Sequence, residues 1–331
     1  MSDPNSDFQV PAPPPVPVET KRYSKNVRIA SIALVVLGLV ILAAGIAKIL
    51  PGGLSTGASA CFLGLLFFGL SFIPLPDVKP DAPAPMGTME RVLGIFYEPS
   101  RVFRNLRSHP RWFAGLLVIA ILNVAYVAAF TQRLTPERIV NYTVDKMAET
   151  PFIPPEAVER ARDQGLQDAK SPAQRVGNAV KGLVWTFVIF IFIAGLYLVV
   201  LLAFGGRINF WQSLSVAVYA ALPPVVVTKV VSFILLYLKS PDDIHPLMGQ
   251  ETLLQDNLGI LFSPKDHPVL FVAATSIGIL SFYKLWLTAT GLHEGGEKVS
   301  SSAAWGVAIV LWTLWLIFGI IITALFPSFI S

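Results

Sequence analysis

The chain alternates long apolar stretches with shorter polar segments, and the apolar stretches dominate the pattern. A helix needs about 20 apolar residues to cross the ~30 Å hydrocarbon layer of a bilayer. In lipid, only helices and closed barrels satisfy every backbone polar group, and uninterrupted apolar runs of this length favour helices. The pattern predicts an all-α polytopic membrane protein with seven spans, at residues 29–50, 58–75, 112–130, 183–204, 213–238, 268–292 and 303–326.

The polar segments divide the chain into four parts. The proline-rich run at 11–17 favours extended backbone and buries nothing, so we expect a disordered tail there. The four parts are a cytoplasmic tail at 1–27, a two-helix transmembrane hairpin at 28–76, a linker with an interfacial helix at 77–111, and a five-helix membrane domain at 112–331 with outer loops 131–182 and 239–267. Prolines followed by glutamates in loop 131–182 predict two further helices, which would form a small cap; a solvated spacer is the alternative interpretation.

The composition excludes a soluble enzyme. Of the 331 residues, 54% are hydrophobic and 14% are charged, whereas soluble domains carry about 25% charged residues. The net charge is +4, and no basic stripe with interleaved aromatics indicates nucleic-acid binding. We therefore expect anionic lipid headgroups to be the partner of the basic residues, with other membrane proteins or a second copy of the chain as further partners.

The distribution of lysine and arginine predicts the orientation. Basic residues accumulate in cytoplasmic loops, and the rule weakens for long loops. When loop 131–182 is excluded, the count favours a cytoplasmic amino terminus and an outside carboxyl terminus; when it is included, the two sides nearly tie. We expect a multi-pass protein of the inner, or cytoplasmic, membrane.

The segment before the third span has the pattern of an amphipathic helix. Apolar residues recur at roughly helical spacing between 92 and 106, and Arg101, Arg104 and Arg107 lie among them. This pattern predicts a helix in the membrane interface, with Phe103 and its apolar neighbours in the acyl boundary and the arginines on lipid phosphates. A simple basic flank of the third span is the alternative interpretation.

Two lysines and a proline pair lie within predicted spans. Charges inside a membrane are costly and are treated as functional hypotheses. Lys229 and Lys284, with a helix break expected at Pro223 and Pro224, would suit an anion or transport site. Snorkelling of both lysines towards the headgroups is the alternative.

No pattern indicates catalysis or a cofactor. The segment 53–57 has the spacing of a serine nucleophile elbow, but it lies between two membrane helices, without the strand that the elbow requires. Acidic residues and histidines at 242, 243, 245, 266 and 267 would suit a metal, yet aspartates near prolines are ordinary turn formers. The single cysteine, Cys61, excludes an intrachain disulfide.

Residues from 89 onwards resemble the Yip1 domain of bacterial membrane proteins. Phe96, Pro99 and Phe103 match the opening F-x-x-P-x-x-x-F motif of that domain, and Trp112 follows. The proline-bearing span with Pro223 and the stretch 282–286 are also similar. The resemblance implies a five-helix membrane domain with no enzymatic activity. The eukaryotic relatives associate with Rab-type GTPases, a partner that the resemblance does not transfer to a bacterial chain.

These observations lead to one functional hypothesis and one rival. We expect a membrane-organising, scaffolding or trafficking-type role without enzymatic activity. The rival is a transporter or channel for an anionic or lipid-like solute that uses Lys229 and Lys284.

Overall fold

The structure is a computed structural model that describes residues 22–78, 80–149 and 153–327. Most of the predicted proline-rich tail, residues 1–21, lies outside the described residues. The described residues form 13 α-helices and no strand. In chain order the helices are α1 (Lys25–Ile46), α2 (Gly53–Leu70), α3 (Thr88–Gly94), α4 (Pro99–Ser108), α5 (Phe113–Leu134), α6 (Pro136–Ala148), α7 (Pro155–Lys170), α8 (Pro172–Ala203), α9 (Phe210–Leu238), α10 (Gly249–Thr252), α11 (Pro268–Thr275), α12 (Ile279–Gly295) and α13 (Ser301–Leu325).

Six of these helices are long and apolar enough to cross a membrane, namely α1, α2, α5, α8, α9 and α13. Large apolar side chains cover their outer surfaces, and a bilayer is the solvent that tolerates such a surface. The all-α polytopic fold is therefore confirmed. Short helices α6 and α7 occupy loop 131–182, as the proline and glutamate pattern predicted.

The sixth predicted span, 268–292, is two helices and not one. α11 ends at Thr275 and α12 begins at Ile279. The intervening backbone bonds to the preceding loop, because Leu258 N donates to Ile277 O at 3.0 Å and Leu280 N donates to an Asp256 carboxylate oxygen at 2.7 Å. Non-helical backbone at membrane depth needs such protein partners. The loop thus supplies hydrogen-bond partners for the backbone between α11 and α12, at a helix break that the apolar run did not reveal.

The break expected at Pro223 and Pro224 is absent, since α9 continues through both residues as one helix. Every residue of α9 from 210 to 224 is buried. Helices α4, α5, α8 and α12 surround this half of α9. Packing on all sides therefore holds the helix together where two backbone donors are missing.

Helices α1 and α2 pack backbone to backbone through glycines. A Cβ atom on Gly38 would lie 2.7 Å from the backbone nitrogen of Cys61, and one on Gly57 would lie 2.5 Å from that of Leu42. Small residues four apart allow membrane helices to approach this closely. Segment 53–57, which has the spacing of a serine elbow, therefore belongs to a helix-packing surface.

Aromatic rings attach this hairpin to the other helices. The Phe67 ring of α2 lies 5.9 Å from the Trp112 ring and 5.8 Å from the Phe187 ring, centroid to centroid. Trp112 stacks on Trp211 at 6.3 Å, and Trp211 Nε1 donates to Ile73 O at 3.1 Å. The end of α2 therefore lies beside the start of α9.

The bundle has two dissimilar ends. We call α3 and α4 the platform; α4 packs on α12 and α9, and α3 packs on α4 and α5. We call α6, α7 and residues 239–267 the cap. Within the cap, Arg138 of α6 bonds to the segment 239–267, because its Nη1 donates to Pro241 O at 2.8 Å. The start of α1 and the end of α2 lie at the platform end, because Trp211 bonds to Ile73 there.

Candidate functional site: the platform and the membrane lysines

The apolar side of α4 packs against protein and not against lipid. Phe103 and Val102 are 0% exposed and Leu106 is 1% exposed. The Phe103 ring lies beside Gly291 of α12, where an added Cβ would be 3.0 Å from two of its ring carbons. The prediction that Phe103 enters the acyl boundary is therefore wrong. The periodicity was that of a helix buried on one side, and α12 and α9 supply the covering surface.

Two arginines of α4, Arg101 and Arg104, are exposed, and both pair with acids of the same protein; Arg107 is half-buried. Arg101 bonds to Glu90 and to Glu98, both at 2.9 Å, and the hydrogen bond and charge of Glu98 raise the pKa of Arg101. Arg104 pairs with Glu294 at 3.2 Å. This pairing reduces the net charge that α4 can offer to a lipid phosphate.

The third arginine joins the platform to the bundle through its main chain and its side chain. Arg107 Nη2 donates to Glu297 O at 2.8 Å, and Arg107 O accepts from Gln212 Nε2 at 2.8 Å. Gln212 is buried at the start of α9. Both bonds link residues more than 100 positions apart, so they fix the platform rigidly on α9 and on the segment after α12.

A buried cation lies inside the platform. Arg91 is 2% exposed, and its Nη2 donates to Thr88 Oγ1 at 3.4 Å. Within the described ranges, Arg91 Nε and Nη1 have no hydrogen-bond partner. A buried guanidinium without an ion-pair partner is costly, so packing must hold it in place. From the sequence, Arg91 was only one of the basic residues that flank the third span.

The exposed apolar surface of the platform is on α3 and the turn after it. Met89 is 74% exposed, Leu93 58% and Tyr97 66%, and these residues recur every fourth position. Phe96, the first residue of the family motif, is 39% exposed beside them. Pro99, the second, is the first residue of α4. We call Met89, Leu93, Phe96 and Tyr97 the α3 stripe.

The structure does not bring the lysines and prolines of the expected transport site together into one site. Lys229 is half-buried, with Nζ 4.5 Å from the centre of the Tyr126 ring. Lys284 is exposed on α12. Among the described residues, no ion pair or hydrogen bond connects the two lysines. Pro223 and Pro224 are buried in α9.

A histidine of the cap is held in one protonation state. His245 Nδ1 accepts from Leu247 N at 3.2 Å and from Met248 N at 3.0 Å, so its proton is on Nε2, which lies 2.9 Å from Tyr142 Oη. Burial, and then the charge of Lys146, lower the pKa of His245. In the described part of the chain, no group of three or more His, Cys, Asp or Glu residues is arranged to hold a metal.

The six long apolar helices and the buried platform define a multi-pass α-helical membrane protein. The family model of the Yip1 domain matches residues 93–323, from α3 to α13. This chain belongs to the Yip1 family, and the resemblance based on Phe96, Pro99 and Phe103 is confirmed. The hairpin α1–α2 precedes the matched residues. No curated protein and no solved structure matches the chain.

Proposed function

We propose that the protein organises the membrane in which it lies, without enzymatic activity, by holding the platform in one interface of the bilayer. The observation that supports this is the α3 stripe, an exposed apolar surface on a platform fixed to the bundle by Phe103, Arg104 and Arg107. Apolar side chains that enter the acyl boundary expand the headgroup region of one leaflet. Because the platform cannot move independently of the bundle, inserting the stripe would also hold the bundle in place relative to that leaflet. This is the scaffolding part of the proposal.

The proposal places the platform in the cytoplasmic leaflet of the inner membrane. The basic residues of the platform and of the chain before α1 support this orientation under the positive-inside rule. The amino terminus would then be cytoplasmic and the carboxyl terminus outside. A topology reporter fused within loop 131–182 and after residue 331 tests it: both positions should report an outside location, and a cytoplasmic signal at both would reverse the orientation.

The position of the platform is tested by fluorescence quenching in proteoliposomes. After Cys61→Ala, an environment-sensitive dye is attached to a cysteine at Leu93, at Val36 on the exposed side of α1, or at Asp163 on α7. We expect nitroxide lipids labelled near the headgroup to quench the dye at position 93, and aqueous iodide to quench it at position 163. Strong iodide quenching at position 93 would contradict the proposal. The dye at position 36 is the reference for a residue deep in the bilayer, with which quenching at position 93 is compared.

The effect on the membrane is tested by measuring protein density on single vesicles of different diameter. An element inserted in one leaflet favours strongly curved membrane, so density should increase as vesicle diameter decreases. The double variant Met89→Ser, Leu93→Ser should lose this dependence, whereas Lys298→Gln, at the same end of the bundle, should keep it. Equal sorting of the wild type and the double variant would refute the proposed role of the stripe.

Transport is the second candidate function, and the break between α11 and α12 is the observation that favours it. Discontinuous helices form ion and substrate sites in transporters, and Lys284 lies in the second turn of α12, just after the break. The probe is a fluorescent phosphatidylglycerol whose transfer between leaflets is measured by dithionite quenching. Transfer that Lys284→Met abolishes would support transport; no transfer above protein-free vesicles would reject it for lipid-like anions.

A further inference from the structure

A basic cavity lies at the start of the hairpin, outside the matched Yip1 residues. Its volume is about 620 Å³, which lies within the 300–1,000 Å³ typical of ligand pockets. Its walls are the first turn of α1 and the chain that leaves α2; the lining residues are Arg22, Tyr23, Ser24, Lys25, Asn26, Arg28 and Leu75. We call this space the hairpin pocket.

The hairpin pocket carries positive charge that the described part of the protein does not neutralise. Three of its lining residues, Arg22, Lys25 and Arg28, are cations, and none of the lining residues is acidic. Across the described ranges, no ion pair involves any of the three. Arg101 and Arg104 of the platform differ in this respect, since each has a carboxylate partner.

Two of the cations are held in position by neutral contacts. Arg28 Nε lies 3.5 Å from Ser71 Oγ, and its guanidinium carbon lies 4.8 Å from the centre of the Phe72 ring. Arg22 Nη2 donates to Pro76 O at 3.1 Å. These contacts leave further N–H groups of each guanidinium free to donate. A guanidinium with its donors in a fixed fork is well suited to phosphate oxygens.

The surface beside the pocket is apolar and exposed. Ile29 is 67% exposed and Ile32 is 50% exposed on the next turns of α1, and Phe72 is 55% exposed where α2 ends. A lipid whose phosphate enters the pocket would therefore lay its acyl chains on these residues. A free phosphate would gain nothing from them, so the apolar surface favours a lipid.

We propose that the hairpin pocket is a binding site for the phosphate of an anionic phospholipid headgroup, held by Arg22, Lys25 and Arg28. The site goes beyond the proposed function, because it lies on the hairpin and does not require the platform to enter the bilayer. The two ideas also fail separately: dye quenching at position 93 tests the platform, and lipid affinity tests the pocket.

The test is a lipid titration of the full chain in neutral detergent, with bound lipids counted by native mass spectrometry. The probes are phosphatidylglycerol and phosphatidylcholine with the same acyl chains, with inorganic phosphate as a competitor. We expect phosphatidylglycerol to bind more tightly than phosphatidylcholine, and millimolar phosphate not to displace it. Equal affinity for the two lipids would overturn the proposal, and displacement by phosphate would show a site for the free anion.

Charge variants locate the site. Lys25→Gln should lower phosphatidylglycerol affinity about fivefold, the effect of one basic residue near an anionic surface. The triple variant Arg22→Gln, Lys25→Gln, Arg28→Gln should lower it more than tenfold. Lys298→Gln removes the same charge at the same end of the bundle from a residue that does not line the pocket, and it should change the affinity less than twofold.

The single variant keeps the test decisive if the triple variant does not fold. Within the described chain, the Lys25 side chain has no hydrogen-bond or ion-pair partner, so its loss leaves the hairpin contacts intact. Lowered affinity in Lys25→Gln with an unchanged melting temperature supports the site. Unchanged affinity in Lys25→Gln, or an equal loss in Lys298→Gln, overturns it.

Discussion

Replacing Phe103 by alanine distinguishes a platform packed on protein from an interfacial helix in lipid. The ring is fully buried beside Gly291. Removing a fully buried phenylalanine costs about 3–5 kcal/mol, which includes the cavity that remains. Phe96→Ala is the matched control, because Phe96 is on the same platform but is 39% exposed; its loss should cost about 1 kcal/mol.

The assay is reversible unfolding in mixed micelles of a mild detergent and increasing dodecyl sulfate. Tryptophan fluorescence reports the transition, because the Trp112 and Trp211 rings stack at 6.3 Å at the platform end. We expect Phe103→Ala to lower the free energy of unfolding at least 2 kcal/mol more than Phe96→Ala does. Similar losses for the two variants would refute the buried position of Phe103 and restore the interfacial interpretation of α4.

Three further experiments test the close contacts of the bundle and the histidine of the cap. Gly291→Ala should destabilise the protein by about 1–3 kcal/mol, because its Cβ would lie 2.7 Å from a Val216 methyl carbon. Gly195→Ala is the control, whose Cβ meets nothing within 4 Å, and it should be neutral or stabilising. A larger loss of stability in Gly195→Ala than in Gly291→Ala would contradict the packing. Gly57→Leu should separate α1 from α2 and cost about 3 kcal/mol, whereas Gly69→Leu, with nothing within 4 Å, should be tolerated in the same unfolding assay. Because the pKa of His245 is lowered in the folded cap, the stability that depends on its neutral ring is complete above about pH 6.5 and is lost as the pH falls below that value. The protection factors of residues 239–253, which correct hydrogen-exchange rates for the slower intrinsic exchange at low pH, should therefore fall between pH 7 and 5, and those of His245→Asn should not.

The apolar runs predict the spans well, because length and composition alone decide which segments cross a bilayer. The last span, predicted at 303–326, is α13 at Ser301–Leu325, and the first is displaced by only a few residues. The break at Gly278 was not predictable from the run at 268–292. Its hydrogen-bond partner is Asp256 of the loop, and periodicity along one segment carries no information about a partner in another.

The same reason explains why the role of α4 was predicted incorrectly. An amphipathic helix has one apolar side, and the sequence pattern is the same whether lipid or protein covers it. The covering residue Gly291 is far away in the sequence, as are Glu294 and Glu297, which hold Arg104 and Arg107. The helix and its basic residues were therefore predictable, and its environment was not.

Basic residues at the platform end thus fall into two classes that only the three-dimensional neighbours separate. Arg101 and Arg104 are neutralised by glutamates, so the proposed contact of the platform with lipid would depend on the apolar α3 stripe. Arg22 and Arg28 are not neutralised within the described residues, so the lipid binding proposed for the hairpin pocket would depend on charge. Salt screens exposed charges with a Debye length of ~10 Å at 0.1 M and ~3 Å at 1 M, and it leaves apolar burial in place. Raising salt from 0.1 to 1 M should therefore weaken phosphatidylglycerol binding while the dye at position 93 keeps its depth; a dye that leaves the bilayer in high salt would show that charge, and not the stripe, holds the platform.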